Sequence, residues 1–175
     1  MARANPGALP ETMNGGHLRG TAMWIVMALV IALADQISKH VIGSLLGPGE
    51  VRNITGFFNL VLVFNRGAAF SLLADAPGWQ RELFAAIAVA ASVVIVVLML
   101  RNASQRLFCA GLSLILGGAL GNLWDRIALG QVVDFLDFHA LGYHWPAFNL
   151  ADSAITIGAA LIILDGFRAS KLPGR

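Results

Sequence analysis

Charge is what this chain has least of. Only 13% of its 175 residues are Asp, Glu, Lys or Arg, against 57% hydrophobic, and its mean hydropathy is +0.72. A soluble globule of this length does not carry so apolar a composition, so the chain is expected in a bilayer. Cysteine is nearly absent. The single Cys109 excludes an internal disulfide and, set in an apolar run, reads as a buried, inert thiol. Basic clusters are missing too: 12 Lys and Arg are scattered against 10 acids, so the pI of 9.2 marks no nucleic-acid footprint, and no nucleic-acid partner is expected. The lack of an internal repeat argues against an inverted-repeat transporter.

What is there is apolar length. Four stretches, at about 22–46, 79–100, 107–124 and 147–167, can cross or nearly cross roughly 30 Å of hydrocarbon as helices. The expectation is an all-α membrane protein with four transmembrane helices in one domain over 21–168. Residues 1–20, with Pro6, Pro10 and little apolar periodicity, read as a disordered tail, and 169–175 read alike. The run 22–34 ends in Ala32-Leu33-Ala34 and mimics a signal peptide. Apolar character resumes through Val41, Ile42, Leu45 and Leu46, and removal would leave an odd number of spans, so it is expected to stay as the first span.

With both termini in the cytoplasm, the inner flanks hold seven of the basic residues (Arg3, Arg19, Arg101, Arg106, Arg168, Lys171, Arg175) and the outer side five, in the sense of the positive-inside rule. Of the acids, all but Glu11 and Asp165 fall on the outer side, which concentrates the polar chemistry there. The outer segment 50–66 is rich in β-branched and aromatic residues interspersed with turn formers, and is expected to form a small sheet at the membrane surface. Phe57, Phe58 and Phe64 would rest at headgroup level. In the outer loop, about 127–146, residues 136–145 with Phe138, Tyr143 and Trp145 read as an interfacial helix or loop before Pro146 opens the last helix.

Acids in such a chain are costly and therefore informative. A carboxylate at membrane depth is penalised by at least ~2.5 kcal/mol, so it persists where it faces a polar cavity or does chemistry. Asp35 and Lys39 are four apart and pair across a helical turn. Asn122, Asp125 and Arg126 share one helical face, with Asp125 and Arg126 read as a structural pair at the end of the third helix. Gly117 and Gly121 have the spacing that lets another helix approach closely. Asn149, Asp152, Ser153 and Thr156 form a polar stripe on the fourth helix, and Asp152 has no basic partner within a turn. Asp134, between Val133 and Phe135, lies 18 residues before Asp152, close enough for the loop to fold back and bring the two carboxylates together. Such a pair shares a proton and is the minimal equipment of an aspartic hydrolase. His139 and His144 near Asp137 are not a compact one-face pair, and no metal is expected. No serine has a Gly-x-Ser-x-Gly context, and Asn53-Ile54-Thr55 is a formal glycosylation sequon.

Five blocks stand in order: Asp-Gln-Ile-Ser-Lys (35–39), Asn-Arg-Gly-Ala-Ala-Phe-Ser (65–71), Gly-Gly-Ala-Leu-Gly-Asn-Leu-Trp-Asp-Arg (117–126), Val-Val-Asp-Phe (132–135) and Phe-Asn-Leu-Ala-Asp-Ser (148–153). Together they resemble the lipoprotein signal peptidase (signal peptidase II) family over about residues 22–168. The resemblance implies an aspartic endopeptidase of the bacterial inner membrane. Its substrates would be diacylglyceryl-modified prolipoproteins, cleaved before the lipidated cysteine, without a cofactor and as a monomer. Asp134 and Asp152 match the family's catalytic pair. Asp35, Lys39, Asn65, Gly118, Asn122, Arg126, Asn149 and Ala151 match positions that support the site or contact substrate. Arg66 stands where many relatives carry threonine, and still suits phosphate or backbone contact. The resemblance also implies membrane lipid as a neighbour, globomycin-type inhibitors bound between the two aspartates, a sheet that cradles the lipid-modified peptide, and an outer loop that closes as a lid. The mobile loop would then assemble the two carboxylates only on substrate binding. The 2–20 extension is longer than expected of the family. From the residues alone, a proton- or ion-coupled relay through Asp35, Asp134 and Asp152, or a structural subunit, also stays open, though a relay should spread its acids through the membrane thickness.

Overall fold

The computed structural model of the chain describes residues 15–67 and 78–170; residues 68–71 of the second block, residues 1–14 and 171–175 of the expected tails, and the flanking charges Arg3, Glu11, Lys171 and Arg175 lie outside the described residues. Among the described residues the helices are α1 (Gly15–Leu45), α2 (Gln80–Asn102), α3 (Arg106–Leu129) and α4 (Leu150–Ser170), and the strands are β1 (Val51–Thr55), β2 (Phe58–Asn65), β3 (Val132–Ala140) and β4 (Tyr143–His144). All four helices are long and apolar enough to cross a membrane. Proline-free runs of Ala, Leu, Ile and Val satisfy their backbone within the helix, as hydrocarbon requires. The protein is a multi-pass membrane protein.

α3 is the central helix: 56% of its span is buried, against 22% or less in each of the others. Glycine makes that possible. A Cβ at Gly117 would stand 2.6 Å from the carbonyl oxygen of Ala28 on α1, and one at Gly111 would stand 2.8 Å from that of Gly158 on α4. Only hydrogen fits at these points, so van der Waals contact runs backbone to backbone. Below them Trp24 and Ala28 of α1, Ile95 and Met99 of α2, and Cys109, Leu112 and Leu116 of α3 form the apolar core. The Trp24 indole N–H reaches the Ala103 carbonyl at 3.2 Å.

The strands form one antiparallel sheet in the order β1-β2-β3-β4, with Asp134 opposite Val63 and Val132 opposite Asn65. Ile42 and Leu46, at the end of α1, pack with Leu62, Val133 and Phe135 and bind the sheet to the bundle. Three expected boundaries change. Residues 15–20 are helical, because extending a formed helix adds a hydrogen bond per residue and no proline interrupts 15–20. The outer loop, expected to carry an interfacial helix or loop, is largely strand: 132–140 alternates between sheet faces and pairs with β2. α4 starts at Leu150 rather than at Pro146, because Phe148 is tied to β3 instead, its N–H donating to Leu136 O at 3.1 Å.

The β3–β4 connection is a two-residue turn with positive φ at both Leu141 (51°) and Gly142 (83°), the type I′ pattern that suits the twist of a hairpin. Glycine accepts this freely, whereas leucine in the left-handed region costs about 1 kcal/mol.

Candidate active site

Lys39 is the hub of a buried polar network. Its ammonium lies 2.7 Å from Asp35 Oδ2 and 2.8 Å from Asp125 Oδ2, and donates to Asn122 Oδ1 at 2.9 Å. Three donors thus meet three acceptors, the condition under which a buried charge is tolerated. Gln36 adds a bond to Asp125 Oδ1 at 2.8 Å and one to Gly121 O at 3.1 Å. Asp125 therefore partners Lys39 and Gln36, not Arg126 as its neighbour in sequence. Its Oδ2 also accepts the backbone N–H of Val133 at 3.1 Å, which fixes the start of β3 next to Asp134.

The N-terminus of α4 is built with equal care. Asn149 caps the helix, its Oδ1 accepting the N–H of Asp152 at 2.9 Å, while Asp152 Oδ2 faces the Asn149 N–H at 3.4 Å. This is a reciprocal capping arrangement. Asp35, from α1, accepts the Ala151 N–H at 2.9 Å and places a carboxylate at the positive end of the helix dipole. Gly118 leaves room for this approach: a Cβ there would strike the Ala151 carbonyl.

Asp134 and Asp152 meet through two asparagines. Asn149 Nδ2 donates to Asp134 Oδ1 at 2.8 Å and to Asn122 Oδ1 at 3.2 Å, and Asn122 Nδ2 donates to Asp152 Oδ1 at 2.8 Å. Asn65 of β2 donates to Asp134 Oδ2 at 3.1 Å. Both carboxylates line a cleft of about 770 Å³, together with Asn65, Arg66, Asn122, Arg126 and the aromatic Phe64, Trp145 and Phe148. Burial, and then the negative charge of Asp152, push the Asp134 carboxyl up to about 7 against the hydrogen bonds of Asn65 and Asn149. At neutral pH Asp134 can hold or release a proton.

Arg126 sits over the Phe84 ring, 5.2 Å from its centroid, and donates to Asn122 O at 3.2 Å and to Gly67 O at 3.3 Å. Arg66 is exposed and bonds Gln131 Oε1 at 3.4 Å. The expected residues thus divide. Asn65, Arg66, Asn122, Arg126, Asp134 and Asp152 face the cleft. Asp35, Lys39, Gly118, Asn149 and Ala151 stand behind it as supports. The expected assembly of the pair by loop closure is corrected: Asp134 is held on a paired strand by Asn65 and Asn149 and already shares the cleft with Asp152. Of this network, Gln36 is not singled out from sequence, and Asp125 is singled out as a partner of Arg126 rather than of Lys39. Their signal lay in the blocks themselves, Gln36 beside Asp35 and Asp125 three residues after Asn122 on one helical face.

Four helices long enough to span a membrane, with two carboxylates on one cleft beside a small sheet, define a multi-pass membrane protein with a candidate hydrolytic site. The comparisons with known proteins make that class specific. A family model described as signal peptidase (SPase) II matches residues 27–168, and the chain belongs to that family. It is 52% identical to the lipoprotein signal peptidase of Paraburkholderia phytofirmans, covering 96% of each chain. It is 54% identical to that of Ralstonia nicotianae, covering 96% of this chain and 98% of the relative. A solved bacterial membrane enzyme superposes with a TM-score of 0.77 at 30% identity, over 88% of this chain and 94% of the other. A second bacterial membrane enzyme gives 0.72 at 32% identity, over 82% and 91%.

Proposed function

We propose that this chain is an aspartic endopeptidase that removes the signal peptide from diacylglyceryl-modified prolipoproteins, cleaving before the lipidated cysteine. The relatives' names supply the substrate class. The observation that carries the chemistry is the unequal carboxylate pair on one cleft: Asp134 buried and pushed up to about 7, Asp152 half-buried at the capped start of α4.

In this reading Asp134 brings the proton and Asp152 takes one. A water between them loses a proton to Asp152 as its oxygen attacks the scissile carbonyl carbon, and the Asp134 proton moves to the carbonyl oxygen. The tetrahedral diol then collapses: the C–N bond breaks, the amine nitrogen receives the proton held by Asp152, and a diol hydroxyl returns its proton to Asp134. No covalent enzyme intermediate forms. Asn65 and Asn149 hold Asp134 in register, and Asn122 holds Asp152. Arg126, lining the same cleft, supplies donors for substrate carbonyls. The lipid-modified peptide lies along the sheet with its acyl chains in the bilayer.

The protein works as a monomer in the bacterial inner membrane, with both termini cytoplasmic and the cleft at the periplasmic face, and globomycin-type inhibitors occupy the same cleft. The test is cleavage of a diacylglyceryl-modified prolipoprotein by purified protein in detergent, comparing wild type with Asp134→Asn and Asp152→Asn at equal folded amounts. Wild type is expected to cleave before the lipidated cysteine and both variants to be inactive. Near-normal cleavage by either variant overturns the pair.

A further inference from the structure

The outer end of the sheet is built inside out. On one face Asn59 and Asp137 are opposite each other in β2 and β3 and are buried, at 4% and 7% exposure. Asn59 Nδ2 donates to Asp137 Oδ2 at 2.8 Å, His144 Nδ1 lies 2.9 Å from Asp137 Oδ1, and His139 stacks on His144 with ring centroids 5.0 Å apart. Burial raises the Asp137 carboxyl, but the bonds from His144 and Asn59 outweigh it and hold it below the usual carboxylate range. The acid of this hairpin is thus turned inward and held by Asn59 Nδ2 and by His144, whose own side chain stays exposed at the rim.

The opposite face carries no charge. Phe138 and Ala140 of β3, Leu141 and Gly142 of the turn, Tyr143 of β4 and then Trp145 make it up. Strand alternation sets Phe138 and Ala140 against the polar Asp137 and His139, and the ladder continues through the Trp145 N–H to Phe138 O at 2.8 Å. Leu141 is 100% exposed, Tyr143 84% and Trp145 59%. Water disfavours that arrangement twice, since it leaves Leu141 and Tyr143 exposed while Phe138 stacks on Phe58 and Phe148, and puts a leucine in a turn position that asparagine or glycine fills without strain.

We propose that the β3–β4 hairpin is an amphipathic paddle that inserts its tip, Leu141 with Tyr143 and Trp145, into the outer leaflet of the bilayer that the four helices span. The inverted polarity argues for lipid. A water-facing hairpin buries its aromatics and exposes its acid, whereas tyrosine and tryptophan on an uncharged rim suit the headgroup boundary. The bilayer is already adjacent, because β3 follows α3 after two residues. Trp145 also lines the cleft, so the paddle sets the height of the cleft mouth at the lipid surface. The inference does not depend on the reaction proposed above.

The test reads depth, not activity. Full-length protein with Cys109→Ser and Leu141→Cys, carrying a nitroxide at 141, is placed in nanodiscs of phosphatidylethanolamine and phosphatidylglycerol. Collision with oxygen and with a water-soluble nickel chelate is compared with that of a label at His139→Cys on the opposite face. The 141 label is expected to favour oxygen severalfold more than the 139 label. Equal exposure of both labels to the nickel chelate overturns the proposal. So does spin–spin broadening at 141 that disappears on dilution with unlabelled protein, since a second copy then covers the tip. Leu141→Asn, which suits the positive φ and keeps the fold, gives an independent reading. Hydrogen exchange of residues 136–148 is expected to be slowed by nanodiscs relative to detergent in wild type, and not in the variant. The same slowing in both overturns insertion of the leucine.

Discussion

The carboxylate of Asp35 on α1 accepts the backbone N–H of Ala151 on α4 at 2.9 Å, one residue before Asp152. A charge on the first span thus holds the end of the fourth, 116 residues later in the chain. Asp35→Asn keeps the volume but removes the charge that faces both Lys39 and the dipole of α4. Breaking a buried pair by neutralising one partner is expected to cost about 3 kcal/mol. The thermal unfolding midpoint in detergent should fall clearly. An unchanged midpoint means that Asp35 does not tie α1 to α4.

Asp125 acts on Asp134 through one peptide unit. Its Oδ2 holds the Val133 N–H at 3.1 Å and Lys39 at 2.8 Å, so Asp125→Ala frees the start of β3 and leaves Lys39 with a single carboxylate. Misplacing a reacting group by about 1 Å costs on the order of 10²-fold in rate. The expected result is a kcat lowered by about that factor with KM little changed. A loss confined to KM would place Asp125 in substrate binding instead.

Gly118 tests the spacing between α3 and α4. Its missing side chain is the room occupied by the Ala151 carbonyl and Ile155, and inserting a methyl into so tight a contact typically costs 1–3 kcal/mol, taken here as about 2. Gly118→Ala should lower stability by that order and reduce cleavage by displacing Asp152. Gly166→Ala on α4, where no atom stands within 4 Å of the added methyl, should leave both unchanged. Equal effects at the two sites would mean that general glycine loss, not this contact, is being measured.

The four helices were legible because uncharged runs of this length permit little else. The 50–66 strands were legible from β-branched and aromatic alternation with a turn. What sequence left open was pairing at a distance. Sequence pairs Asp125 with adjacent Arg126, but the ammonium it meets belongs to Lys39, 86 positions earlier in the chain. Asp134 reads as a loop residue because its strand is completed only by β2, nearly 70 residues back in the chain. Pro146 marked a helix start in sequence. The actual cap is Asn149, three residues on, where the side chain satisfies the Asp152 N–H. In each case the local signal was real and a long-range contact overrode it.

The proton on Asp134 gives the site a pH signature of definite sign. The carboxyl is at about 7 in the fold against 3.8 for the free group, so between those values the folded state keeps a proton that the unfolded state has lost. Stability from this group therefore falls as pH rises from about 4 to about 7, and is level above. The gap corresponds to roughly 4 kcal/mol at most. Asp134→Asn removes the titration: the variant's unfolding midpoint should drop less between pH 5 and pH 8 than wild type's, and should exceed it at pH 8. Catalysis follows the same group. If Asp134 supplies the proton, kcat/KM for a lipidated prolipoprotein should decline about tenfold per pH unit above about 7. A profile flat to pH 9 would assign the proton elsewhere, even if Asp134→Asn is inactive.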